Sequence, residues 1–84
     1  MNLENIFKDA KTDWESQEYL LVDEYDEDGN LITILKYDEG NVVVHLHDVK
    51  GQRALHHKMT NKEFHILDFG NFKRLIDELF YYAQ

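Results

Sequence analysis

The feature that most constrains the fold is a change in the spacing of apolar residues along the chain. Both ends repeat apolar residues with the 3.6-residue period of an amphipathic helix, whereas the middle contains short β-rich runs separated by turn residues. The first stripe predicts a helix over about residues 3–16, capped by Asn2, and consists of Leu3, Ile6, Phe7, Ala10 and Trp14. The second stripe predicts a C-terminal helix, capped by Asp68 or Asn71, and consists of Phe72, Leu75, Ile76, Leu79, Phe80 and Ala83.

The central segment predicts an antiparallel β-meander of three or four strands. Its β-rich runs cover residues 19–25, 31–37, 42–49 and 53–59. Turn residues separate these runs, at Gly29-Asn30, Gly40-Asn41 and Lys50-Gly51. We therefore expect an α+β fold in which residues 1–84 form a single small domain, with an N-terminal helix, the meander and a C-terminal helix in the order α-β-β-β-(β)-α.

The pairing of the last two strands follows from the length of their turn. If Lys50-Gly51 forms a two-residue turn, opposite residues have numbers that sum to 101, which pairs Val42 with Met59 and Leu46 with Leu55 on one apolar face. The same register puts three histidines together on the other face, namely His45, His47 and His56, with His45 opposite His56. The first strand has two alternative buried sets, either Tyr19, Leu21 and Tyr25 or Leu20 and Val22.

The charge balance argues against direct binding to nucleic acid. The chain has 17 Asp and Glu against 9 Lys and Arg, a net charge of -8, whereas affinity for nucleic acid depends on neutralising phosphates. The predicted order of elements is similar to that of the double-stranded-RNA-binding domain, but such a domain needs a basic start to its last helix. Here Lys73 and Arg74 are matched by Asp77 and Glu78.

The sequence contains no motif for catalysis or for a cofactor. It has no Cys, and none of the G-x-S-x-G, H-E-x-x-H, P-loop and G-x-G-x-x-G patterns occurs. No apolar run is long enough for a signal peptide or a membrane span. We therefore expect a non-catalytic cytoplasmic protein that needs no cofactor and does not bind a membrane.

The acidic residues are concentrated in the first half of the chain. Residues 1–42 hold 12 acidic and 3 basic residues, whereas residues 43–84 hold 5 and 6. The predicted first hairpin contains Glu18, Asp23, Glu24, Asp26, Glu27 and Asp28 with no Lys or Arg between them. A solvated edge strand that resists aggregation would explain these charges. A docking surface would also explain them, because a carboxylate patch on a rigid hairpin can occupy the basic groove of a nucleic-acid-handling protein.

The leading hypothesis is therefore a small acidic binding protein that inhibits such a partner, by analogy with small acidic proteins of phages and mobile elements. Exposed aromatic residues would add anchors to that surface, and the candidates are Tyr25, Tyr81 and Tyr82. The alternative is a housekeeping or assembly domain that forms a homodimer, in which the acidic patch serves solubility.

The histidine cluster supports a third hypothesis. Three imidazoles within a few ångströms could bind Zn²⁺, and the candidate ligands are His45, His47 and His56. Clustered imidazoles also gain charge just below pH 7, which would suit a pH-sensitive partner surface. A polar sheet face without any ligand explains the same residues.

Overall fold

The computed structural model describes residues 2–16, 21–38, 41–48 and 53–83. Three helices and four strands are present in these residues: α1 (Leu3–Ser16), β1 (Leu21–Tyr25), β2 (Leu31–Asp38), β3 (Asn41–Asp48), β4 (Arg53–Thr60), α2 (Asn61–Ile66) and α3 (Phe69–Ala83). The predicted α+β architecture is confirmed, and the meander has its fourth strand. The short helix α2 was not predicted. No helix in the described ranges is long and apolar enough to cross a membrane.

The four strands form one antiparallel sheet in the order β1-β2-β3-β4. Strands β3 and β4 pair in the predicted register, with Val42 opposite Met59, Leu46 opposite Leu55 and His45 opposite His56. The pairing of β2 with β3 shifts between Lys36 and Asp38, so a β-bulge lies near the end of β2. The predicted turn residues Lys50 and Gly51 lie outside the described residues.

The helices cover one face of the sheet, which holds the core. Alternate strand residues point to this face, and the core cluster consists of Val22, Ile32, Ile34, Val42, Val44, Leu46 and Met59 with Ile6, Phe7, Ala10, Phe64, Phe72 and Ile76 from the helices. Val22 is only 5% exposed, whereas Tyr25 is 57% exposed. Of the two predicted buried sets of the first strand, the one that contains Val22 is therefore correct. Leu20, the other member of that set, lies outside the described residues.

Short polar side chains begin each helix, because the first backbone N–H groups of a helix have no partner within it. The Asn5 N–H donates to Asn2 Oδ1 at 2.8 Å, and the Asn71 N–H donates to Asp68 Oδ1 at 2.8 Å. Helix α2 starts with a capping box, in which the Glu63 N–H donates to Thr60 Oγ1 at 3.1 Å and the Thr60 N–H donates to Glu63 Oε1 at 3.2 Å. This box reverses the chain directly after β4.

A lysine of α1 fixes the other end of α2. The Lys11 ammonium donates to the carbonyl oxygens of Phe64 and His65, the latter at 3.1 Å. The same Nζ lies over three aromatic rings, 4.6 Å from the ring centroid of Phe64, 5.5 Å from that of Phe7 and 5.9 Å from that of Trp14. A cation here complements the partial negative charge at the helix C-terminus and the negative faces of the rings. Lys11 therefore joins α1 to α2.

Candidate binding surfaces

An acidic groove lies between α1 and β1. Its lining residues are Asp9, Thr12, Asp13, Val22, Asp23 and Glu24, and they enclose about 280 Å³. Asp9 and Asp13 are four residues apart and therefore lie on one side of α1, which packs beside β1. The fold thus adds two helical carboxylates to the two that the sequence analysis assigned to the strand. The described residues that line this groove include no Lys or Arg.

The two lysines of α1 make their described contacts away from this groove. Lys8 Nζ lies 3.4 Å from Glu4 Oε1, one turn earlier in the same helix. Lys11 is held against the carbonyl end of α2. Burial lowers the pKa of Lys11, while the negative charges of Glu15 and Asp68 act in the opposite direction. Neither lysine is among the described residues that line the groove.

The predicted hairpin residues have different positions around this groove. Asp26 is used by the turn itself, because its carboxylate accepts hydrogen bonds from the Asp28 N–H and the Asn30 N–H, both at 2.9 Å. Gly29 completes the turn with a φ of +84°, which favours glycine. Glu27 and Asp28 are exposed at the tip of the hairpin. Glu18 lies outside the described residues.

Asp23 lies where the groove meets the opposite face of the sheet. Its register position is on the face away from the core, where Thr33 Oγ1 donates to Asp23 Oδ1 at 2.7 Å. Glu24 is opposite Ile32 and so belongs to the helix side, beside the groove. Asp23 and Glu24 therefore belong to opposite faces of the sheet, as the two-residue alternation of a strand requires, and both border the groove.

The sheet face away from the helices, here called the open face, is the second surface. It is formed by the odd-numbered residues of β1–β3 and the even-numbered residues of β4, and no described helix packs on it. Val43 on this face is nevertheless only 4% exposed. It lies at the base of a shallow depression of about 340 Å³ lined also by His45, His56 and Lys58. Leu35, which is opposite Val43, is half-buried, and so is Leu31 further along β2.

The histidines occupy the open face in the predicted arrangement. The ring centroids of His45 and His56 are 5.7 Å apart, and His47 lies two residues further along β3, exposed, opposite Ala54. Among the residues that the structure describes, no group of three or more His, Cys, Asp or Glu residues is placed to hold a metal ion. We therefore do not include a zinc site in the proposed function.

The candidate aromatic anchors lie on separate surfaces. Tyr25 is 57% exposed and lies on the open face, opposite Leu31. Tyr81 is 73% exposed near the end of α3. The side chain of Tyr82 lies outside the described part of the chain. Tyr25 and Tyr81 are thus accessible, and neither lines the acidic groove.

Comparisons with protein-family models, curated proteins and solved structures found no match to this chain. Function is therefore inferred from the surfaces themselves. Asp9 and Asp13 were not predicted as members of the acidic surface, although their i,i+4 spacing beside the apolar stripe was the available signal.

Proposed function

We propose that this chain is a non-catalytic cytoplasmic protein that binds the basic surface of a nucleic-acid-handling protein and thereby inhibits it. The binding surface is the acidic groove together with the exposed hairpin tip, Glu27 and Asp28. The absence of Cys suits a reducing compartment.

The observation that carries this proposal is the convergence of carboxylates from two elements. Asp9 and Asp13 of α1 line the same groove as Asp23 and Glu24 of β1. If the acidic residues of β1 only protected an edge strand from aggregation, carboxylates would be needed on the strand itself. That role does not explain the carboxylates on the adjacent helix. Carboxylates that converge from two packed elements are instead suited to a basic groove that normally holds a nucleic-acid backbone.

The experiment is a capture of partners by the tagged protein from a lysate of the cells that express it, followed by a binding assay with the purified partner. We expect a partner that binds nucleic acid, that is released as the salt concentration rises, and whose binding to nucleic acid falls when the wild-type chain is added. Glu24→Lys should weaken the complex by about tenfold or more at low salt, because it places a cation within the groove.

Glu78→Lys is the matched control. Glu78 is also an exposed glutamate, and its reversal changes the net charge by the same amount, but it lies on α3. A partner whose affinity is reduced equally by both variants responds to net charge alone and contradicts the proposal. So does a partner that binds as tightly to Glu24→Lys as to the wild type, or one that leaves nucleic-acid binding unchanged.

A further inference from the structure

The open face carries opposite charges along its two edges. On β1 it presents Asp23, and on β4 it presents His56 and the exposed Lys58. Between these edges lie Leu31, Thr33 and Leu35 of β2 and Val43, His45 and His47 of β3. The face thus has a carboxylate at one edge, an ammonium group at the other, and apolar, hydroxyl and imidazole side chains between them.

The strand register arranges these side chains in rows across the sheet. One row runs from Asp23 through Thr33 and His45 to His56. The next row contains Leu35, Val43 and Lys58 in the same order of strands. Thr33 Oγ1 donates to Asp23 Oδ1 at 2.7 Å, so the carboxylate is held on this face.

From this arrangement we infer that the open face binds a second copy of the same chain. A two-fold axis that runs parallel to the strands, between the two sheets, places β1 of each copy over β4 of the other and preserves each row. Asp23 of one copy then faces His56 of the other and lies one row, about 7 Å along the strands, from Lys58, twice per dimer. Leu35 of one copy faces Val43 of the other, also twice.

The other two-fold axis for face-to-face packing is perpendicular to the strands. That axis sets β1 over β1. If it passes through the Asp23 row it brings the two Asp23 carboxylates together, and if it passes through the Lys58 row it brings the two Lys58 ammonium groups together. Charge complementarity therefore selects the first axis. This interface goes beyond the proposed function, since it uses the sheet face and shares only Asp23 with the lining of the acidic groove.

The size of the face sets the strength expected of the dimer. Four strands at about 4.8 Å spacing and three rows at about 7 Å spacing give a footprint of roughly 400 Å² per copy. Stable specific interfaces bury about 800 Å² of accessible surface per partner, so a contact of this size lies below that range and corresponds to a weak, transient interface. We therefore expect a reversible dimer that forms as the protein concentration rises.

The test is sedimentation equilibrium of the full chain at protein concentrations from about 5 μM to about 1 mM. The wild-type mass should rise from 10.1 kDa toward twice that value. Asp23→Lys and Lys58→Glu should each stay near the monomer mass, because each variant sets like charges against each other at both contacts. Circular dichroism verifies that each variant is folded, and Asp23→Asn replaces Asp23→Lys if the latter does not fold.

An equimolar mixture of Asp23→Lys and Lys58→Glu should dimerise again. In the mixed dimer the lysine introduced at position 23 lies one row from the glutamate introduced at position 58, and the native Asp23 lies one row from the native Lys58, so both neighbouring pairs again have opposite charges. Glu24→Lys serves as the control, because the side chain of Glu24 belongs to the groove and not to the open face. This variant should dimerise like the wild type. It should also lose the proposed partner, so failure of the dimer and failure of the proposed function are separable.

Two results would overturn the inference. One is a wild-type mass that stays at 10.1 kDa over the whole concentration range. The other is a wild-type dimer that Asp23→Lys and Lys58→Glu form equally well, which would place the interface elsewhere on the molecule.

Discussion

The contact of Lys11 with the end of α2 makes a quantitative prediction about stability. Lys11→Met removes the ammonium and keeps an unbranched side chain of similar length, so the packing of the stem against the rings is retained. The variant loses hydrogen bonds to the carbonyls of Phe64 and His65 and the contacts of Nζ with three rings.

Opposing terms determine the size of this effect. A hydrogen bond to a charged group contributes about 1.5–3 kcal/mol when well formed, and a cation–π contact adds about 0.5–1 kcal/mol at an exposed site. Burial of the ammonium opposes both, which is the cause of the lowered pKa of Lys11. We expect Lys11→Met to lower the free energy of unfolding by about 1–2 kcal/mol, or the melting temperature by roughly 4–15 °C for a domain of this size.

The assay is thermal and urea unfolding followed by circular dichroism, with Lys8→Met as the matched control. Lys8 is on the same helix but is exposed and pairs only with Glu4 among its described contacts, so its loss should change stability by less than about 0.5 kcal/mol. Equal stability of the two variants would refute the role assigned to Lys11.

The pH dependence of the stability difference between wild type and Lys11→Met supplies a second readout. The pKa of Lys11 in the folded chain lies below the value of 10.5 in the unfolded chain. Between these two values the unfolded chain binds more protons, so this group adds stability as the pH rises through that window. The difference between wild type and Lys11→Met should therefore be larger at pH 10.5 than at pH 7. A difference that shrinks over this range would contradict the direction of the shift.

Two further predictions concern the cap of α2 and the turn of the first hairpin. Thr60→Ala removes the capping box of α2 and should lower the free energy of unfolding by about 1 kcal/mol in urea titrations, whereas Thr12→Ala, an exposed site inside α1, should not lower it. Asp26→Ala removes the acceptor of two turn N–H groups and should cost about 1 kcal/mol or more. Asp28→Ala, at the exposed tip of the same turn, should be close to neutral in the same titration, and equal losses would contradict the role of Asp26.

The elements and most of their pairing could be predicted because they depend on local periodicity. The helical stripes, the caps at Asn2 and Asp68, and the register that sets His45 opposite His56 all follow from spacing within one or two elements. Helix α2 was missed because six residues are too short for a periodic signal, although Thr60 and Glu63 have the spacing of a capping box.

The candidate surfaces depended on information that local spacing does not contain. The sequence by itself determined the strong negative charge of the first half of the chain, the two helices and the alternation that separates Asp23 from Glu24. Only the tertiary structure decided that α1 lies beside β1, which brings Asp9 and Asp13 to the acidic groove, and that Lys11 contacts α2 at a distance of more than 50 residues along the chain. It also decided that all the described helices cover the same face, so that the opposite face carries Asp23 and Lys58 at its two edges. The reason is physical: charge and periodicity are properties of neighbouring residues, whereas the packing of one element on another minimises the exposed apolar surface of the whole chain.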